Sequence, residues 1–169
     1  MPPHIATRPA QINDVAAISA LHAKTLGPGR YARTAYRIRE GTNGVSPYCR
    51  VTLAGTRMVA ALRMTEVTIG KSAGALLLGP LAVDPDFAGQ GYGRQMVTDT
   101  LDDARKGGVK LVVLVGDEPY YGRFGFRPVP PGQIELPGPV NQRRLLAVEL
   151  QPGALAQFRG MVEAVRSSL

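Results

Sequence analysis

With a single cysteine, Cys49, in 169 residues, the chain cannot form an intrachain disulfide or a cysteine metal cluster. Its two histidines, His4 and His22, have no acids at ligand spacing, so no metal site is expected. Neither histidine lies near Cys49 in sequence, and Cys49 falls in a predicted strand. It reads as a buried structural thiol and not as a nucleophile. No apolar run approaches a membrane span, and the N-terminal MPPHIATRPA lacks the apolar core of a signal peptide. These absences predict a cytoplasmic protein with no membrane partner. The G-x-x-x-x-G-K-[ST] phosphate loop and the G-x-S-x-G nucleophile elbow are both missing. A G-x-G-x-x-G dinucleotide fingerprint fails as well, because its third position falls on Arg94 counted from Gly89 and on Met96 counted from Gly91.

Basic residues exceed acidic ones, giving a formal net charge of +7, but they form no run of five or six. No helix-turn-helix, zinc finger or RNA-binding signature accompanies them. The charge fits nucleic acid, an acidic membrane surface or a polyanionic small molecule, and equally a surface that is merely well solvated. At 44% hydrophobic residues the chain is too apolar for disorder. Its length suits one domain, taken as 1–169, with its own core. Twenty glycines and 14 prolines suit many short elements joined by tight turns.

Those elements read as follows. His4–Arg8 is a first strand. A helix capped at Asn13 or Asp14 runs to about Leu26, with Ile12, Val15, Ile18 and Leu21 as its apolar stripe. Gly27–Pro28–Gly29 breaks it, and a second helix over Arg30–Glu40 sets Arg30, Arg33 and Arg37 on one face. That face is either solvated or an anion contact. Tyr48–Ala54 and Met58–Val67 form a hairpin around Gly55–Thr56, and Gly70–Gly74 is an exposed turn. Ala75–Val83 and Lys110–Val115 are apolar without alternation, as strands buried on both faces are. Between them Met96, Val97, Thr100, Leu101 and Ala104 recur at helical spacing until Gly107–Gly108 stops the helix. This is a βαβ unit, for which a right-handed crossover is expected. After Pro128 the sequence PVPPGQIELPGP is a loop or edge. Leu145–Leu150 is a late strand, and Pro152–Leu169 reads as an amphipathic helix with Leu155, Phe158, Met161, Val162 and Val165. The sum is an α/β domain with a mixed central sheet flanked by helices on both faces.

Within the βαβ unit, Gly89, Gly91 and Gly93 strip side chains from the turn that opens the helix. Backbone N–H groups are thereby exposed at the positive end of the helix dipole, a place for a phosphate or diphosphate, with Arg94 available for a charge-assisted contact. Three alternating glycines are also what a tight strand-to-helix turn alone needs, and both readings stand on this motif.

The flanks narrow the choice. LAVDPDFAGQGYGR (Leu81–Arg94) followed by YGRFGF (Tyr121–Phe126) resembles the GNAT superfamily of N-acyltransferases, and VLVGDEPYYGRFGFRPV (Val113–Val129) is similar to its YhbS-like branch. The specific motifs occupy about the middle third of the chain. One position departs from the pattern: Ala88 stands where the family's diphosphate loop often has Arg or Gln, which implies weaker binding rather than none. The resemblance implies a GNAT fold and transfer of an acetyl group from acetyl-coenzyme A to an amine by direct attack. It also implies that Gly89, Gln90, Gly91, Tyr92, Gly93 and Arg94 hold the diphosphate. Leu81, Ala82 and Val83 would pair with the pantetheine arm as an added strand does. A homodimer is a candidate assembly on the same ground.

Tyr121 takes the family's position for assisting the leaving thiolate. A phenol of ordinary pKa near 10 is protonated at neutral pH, and full transfer to a thiolate is uphill by roughly 2 kcal/mol. Tyr121 is therefore expected to act as a hydrogen-bond donor to the sulfur; Tyr120 reads as packing or cofactor lining. The acceptor amine must lose a proton. Glu66 is the first candidate base, with Asp117 and Glu118 behind it, and a water relay competes with all three. The rival readings are a non-catalytic acyl-coenzyme A module and a nucleic-acid-binding protein; the first needs no base, and the second rests on charge alone.

Overall fold

Two long antiparallel strands, β3 (Arg57–Ile69) and β4 (Ser72–Val83), form the spine of the fold in a computed structural model that describes residues 4–27, 38–39 and 45–165. They are joined by a two-residue turn in which both Gly70 (φ +56) and Lys71 (φ +71) are left-handed, the backbone that matches strand twist in a tight hairpin. β1 (Ile5–Pro9) and β2 (Arg50–Ala54) extend the sheet beyond β3. On the other side β5 (Leu111–Val115) lies parallel to β4, followed by β8 (Leu145–Glu149) and β6 (Arg127–Pro128). The path is β1-β2-β3-β4-β5-β8-β6, and among the described strands only β4–β5 within it is parallel. The sheet is mixed, as expected.

Among the described residues α1 (Val15–Leu26) and α2 (Tyr92–Lys106) lie on opposite faces of the sheet. α1 places Ile18 and Leu21 against Val51, Ala61 and Ala82. On the opposite face α2 buries Met96, Val97, Thr100, Leu101 and Ala104, the stripe that the helical spacing marks, against Leu62, Met64, Leu76 and Leu78. Burying each large apolar side chain contributes roughly 1.5–3 kcal/mol, so this stripe decides which way α2 faces. The helix ends at Gly107–Gly108, where Gly108 takes φ +85. Cys49 is buried; its Sγ accepts the Met64 N–H at 3.3 Å. Among the described residues no helix is long and apolar enough to cross a membrane.

The C-terminal segment corrects the sequence reading. Over the described part of Pro152–Leu169, residues 152–165, there is no α-helix: a 3₁₀ turn at Ala154–Gln157 leads into β9 (Gly160–Ala164), antiparallel to β3 through Val67↔Ala164 and Ile69↔Val162. The apolar spacing is served instead by burial of Phe158 and Val162 on the α1 side of the sheet, with Ala154 beside them. Gly153 and Gly160 both adopt positive φ, which breaks a helix on either side of Phe158. β9 also pairs in parallel with the short β7 (Ile134–Glu135), so the proline-rich stretch contributes an edge. The helix expected over Arg30–Glu40, with Arg30, Arg33 and Arg37, lies almost entirely outside the described residues.

Candidate active site

β4 and β5 run together only over Ala75–Leu77 and Leu111–Val113. Beyond Leu77 the two strands part. β4 continues through Leu81, Ala82 and Val83 paired on one side only, with Leu62, Ala61 and Ala60 of β3. The bulge at Gly79–Pro80, an X-Pro cis peptide, shifts the register there. The edge of β4 facing β5 is therefore open from Leu78 to Val83, a row of main-chain groups available to an extended ligand.

The chain leaves β4 through Asp84, a 3₁₀ turn at Pro85–Phe87 and the glycine turn. Gly89 (φ +78) and Gly91 (φ +86) take conformations that side chains resist, and nothing stands within 4 Å of where their Cβ atoms would be. Gly93 has a different reason to be glycine. Its Cβ would lie 3.3 Å from the Tyr120 hydroxyl and 3.4 Å from Val83 Cγ2, so the bare residue lets the start of α2 press against β4 and the aromatic turn. Among the described residues the backbone N–H groups from Gly89 to Arg94 bond to no carbonyl or side chain. They lie at the positive end of a 15-residue helix. The Tyr92 hydroxyl donates to Gln90 Oε1 at 3.0 Å, tying the turn together.

A buried carboxylate braces this turn from behind. Asp84 is 3% exposed. Lys24 Nζ of α1 donates to it at 2.8 Å, Arg57 of the β2–β3 hairpin at 2.9 Å, and the Asp86 N–H at 2.9 Å. The Lys24 hydrogen bond, then the Asp86 N–H and the Arg57 contact, hold the Asp84 carboxyl far below the usual carboxylate range. Arg57 also lies over the Phe87 ring at 5.1 Å, and Phe87 meets Tyr92 at 6.4 Å. Sequence reading missed this clamp: Asp84 lies inside the LAVDPDFAGQGYGR stretch, but nothing local points to Lys24 and Arg57 as its partners.

Tyr121 ends the one-turn helix α3 (Glu118–Tyr121), which follows β5. Its ring packs edge-on against Tyr120 (4.9 Å) and Phe126 (5.8 Å). Gly116 is the other determinant: a Cβ there would lie 2.6 Å from Tyr121 Cε2. Burial first, then the charges of Tyr120 and Asp117, push the Tyr121 phenol up to about 12. Full proton transfer from it to a thiolate is then uphill by roughly 5 kcal/mol rather than 2. Among the described residues its hydroxyl has no hydrogen-bond partner, so it is available to a ligand.

β4 and β5 are parallel, so the glycine turn and the Tyr121 turn emerge at the same end of the sheet. Leu81–Val83, Gly89–Arg94, Tyr120 and Tyr121 are thus gathered there, with Asp117 beside Tyr121 and Glu118 exposed at the start of α3. Glu66 is not gathered with them. It is exposed and sits opposite Leu76, toward the other end of the open edge, two residues along β3 from Met64, the partner of Leu78. Among the described residues no group of three or more His, Cys, Asp or Glu side chains comes together.

The family model of the acetyltransferase (GNAT) domain matches residues 7–129; the chain belongs to the GNAT acetyltransferase family. It is similar to the uncharacterized N-acetyltransferase YhbS of Escherichia coli K12, 35% identical over 86 residues that make up 51% of this chain and 52% of the relative. The chain thus spans about half the length of the curated relatives it matches. The crystal structure of Escherichia coli YhbS in complex with CoA superposes with a TM-score of 0.76, covering 96% of this chain and 91% of that one at 24% identity, a likeness of fold. A GNAT family acetyltransferase of Brucella melitensis, solved with acetyl-CoA, superposes at 0.62 and is 25% identical, covering 89% and 97%.

Proposed function

We propose that this chain is an N-acetyltransferase that moves an acetyl group from acetyl-coenzyme A to a primary amine by direct attack. The observation that carries the reading is the free edge of β4 beyond Leu77 leading into N–H groups at the start of α2 that, among the described residues, bond to no carbonyl. An extended amide arm that ends in a diphosphate matches that sequence of donors. The CoA and acetyl-CoA bound in the structural relatives support the same ligand here. The reading carries a cytoplasmic location with it.

In this reading Gly89–Arg94 anchor the diphosphate, and Leu81, Ala82 and Val83 hold the arm as an added strand. A free N–H of β4 donates to the thioester carbonyl oxygen as it gains charge. The acceptor enters as an ammonium and loses one proton to solvent through water, with Glu66 on β3 as the first side-chain candidate for the same step. Its nitrogen then forms the C–N bond while the C–S bond breaks. The second amine proton ends on the sulfur. Tyr121 donates a hydrogen bond to the departing thiolate and keeps its own proton, as a phenol with a pKa of about 12 does.

The test is coenzyme A release with a mixed amine panel, alongside calorimetric coenzyme A binding, on the native chain and Tyr121→Phe. The variant is expected to turn over roughly ten- to a thousandfold more slowly with coenzyme A affinity within about twofold. Unchanged turnover removes Tyr121 from the chemistry. Binding of coenzyme A without transfer to any amine favours a non-catalytic acyl-coenzyme A module. Steeply salt-dependent DNA binding without coenzyme A binding favours the nucleic-acid reading.

A further inference from the structure

On the α1 side of the sheet the apolar cover of β3 and β4 is interrupted. Ala61 and Ala82 lie under Ile18 and Leu21 of α1. Val67, Ala75 and Leu77 belong to a second cluster, with Ile38 and Phe158. Between the two stand Arg63 and Thr65 of β3 and the bulge Gly79–Pro80 of β4. Leu62 and Met64, which flank Arg63, pack on the α2 side, as do Leu78 and Leu81, which flank the bulge. Alternation therefore turns Arg63 and the bulge to the α1 side. Thr65 is there as well, because it directly opposes Leu77. Arg63, Gly79 and Pro80 are partly exposed where Ala61, Leu77 and Ala82 are buried. Nothing stands within 4 Å of where a Gly79 Cβ would be. The interruption is a polar window in the sheet face.

Thr65 lies at its inner margin, 6% exposed, and among the described residues its Oγ1 has no hydrogen-bond partner. Other buried threonines are bonded: Thr100 Oγ1 donates to the Tyr48 carbonyl at 2.6 Å, and Thr52 Oγ1 shares a bond with Thr7 Oγ1 at 3.1 Å. A buried hydroxyl left unpaired destabilises the fold, so its placement calls for a donor that arrives with a ligand. Leu77, opposite Thr65, is the last residue of β4 that pairs with β5. In the reading above, on which this step rests, the arm anchored at the glycine turn runs back along Val83, Ala82 and Leu81. Its thioester thus comes toward the point where the strands part, one strand away from Thr65. We propose that the acceptor amine reaches the thioester through this window and that its N–H donates to Thr65 Oγ1, which makes Thr65 a specificity-determining residue for the amine. The nitrogen gains positive charge as the C–N bond forms, so this hydrogen bond strengthens toward the transition state. The hydroxyl takes up no proton.

Thr65→Val removes the oxygen and keeps the branched shape. With no partner to lose in the free chain, its thermal stability is expected to equal or exceed that of the native chain. Acetyl transfer is measured on a panel of amino-acid amides, polyamines, arylethylamines and lysine peptides, and the amine that the native chain acetylates fastest is followed in each variant. For that amine kcat/KM is expected to fall about ten- to a hundredfold in Thr65→Val, with calorimetric coenzyme A affinity within about twofold. Thr65→Ser keeps the oxygen and is expected to recover most of the loss. Unchanged kcat/KM in Thr65→Val overturns the proposal. So does a loss of stability, which would show that the hydroxyl bonds within the protein, or a matching fall in coenzyme A affinity. A native chain that binds coenzyme A and acetylates no amine of the panel overturns the transferase reading itself, and this proposal with it.

Discussion

Tyr121 is held by steric exclusion more than by polar contacts. Gly116 leaves room for the ring edge, Phe126 and Tyr120 meet it at near right angles, and its hydroxyl is free among the described residues. Burial raises its pKa to about 12 from an ordinary 10, so folding favours the neutral phenol. Two consequences have a definite sign. Its contribution to stability is fully present below pH 10 and is lost as pH climbs from 10 through 12. Its capacity to donate a hydrogen bond persists past pH 10 and is lost only as pH nears 12, so turnover is expected to show no Tyr121-linked falling limb near pH 10. The chain has six tyrosines and no tryptophan, which makes ultraviolet phenolate absorbance a clean probe. Tyr121 is expected to titrate late, and Tyr121→Phe is expected to remove that step. A limb near pH 10 in the native rate profile that disappears in Tyr121→Phe would contradict the assignment.

At the level of elements, the βαβ unit was legible because each part is written locally. Two unalternated apolar runs, three glycines and a stripe at helical spacing need no distant partner to be read. Tyr121 and the glycine turn could likewise be picked out from their flanks. The bracing of that turn could not, because Lys24, Arg57 and Asp84 come from α1, a hairpin and the end of β4. They are separated by up to 60 residues in sequence, and only the packed sheet brings them together. The same holds for Gly116, whose need to lack a side chain depends on where Tyr121 returns. The clamp has a measurable role. Arg57 links Asp84, Asp86 and the Phe87 ring, which makes it a positioning residue for the turn. Arg57→Ala is expected to weaken coenzyme A binding about three- to tenfold through a less ordered turn, while kcat at saturation changes less than twofold. Arg57→Lys, which keeps the charge near Asp84, is expected to recover part of the affinity. A fall in kcat with affinity unchanged would assign Arg57 to the chemistry instead.

For the molecule as a whole, the end of the chain is stitched to its middle. β9 closes onto β3 beyond the point where β2 leaves it, and β7 then adds to β9. This long-range pairing overrides a local spacing that suits a helix, which is why the last segment was misread. The seam depends on two glycines in contact. A Cβ at Gly70 would overlap the carbonyl oxygen of Arg159, and one at Gly160 would lie 2.8 Å from Gly70 Cα. Both sites have positive φ, +56 and +124. Side chains there meet backbone, which has no rotamer to yield. Gly70→Ala carries the left-handed penalty of about 1 kcal/mol and must also push β9 away from the β3–β4 turn. The Gln133 side chain bonds to the carbonyls of Leu155 and Phe158, and the Phe158 packing sits close by, so the strain spreads through the face opposite α2. A loss of about 2–4 kcal/mol in unfolding free energy is expected, with the denaturant slope unchanged if the chain still unfolds in one step. The glycine turn and Tyr121 lie at the other end of β4, so coenzyme A affinity at low temperature is expected to stay within about twofold. A Gly70→Ala variant as stable as the native chain would mean that β9 is not seated on β3 in solution.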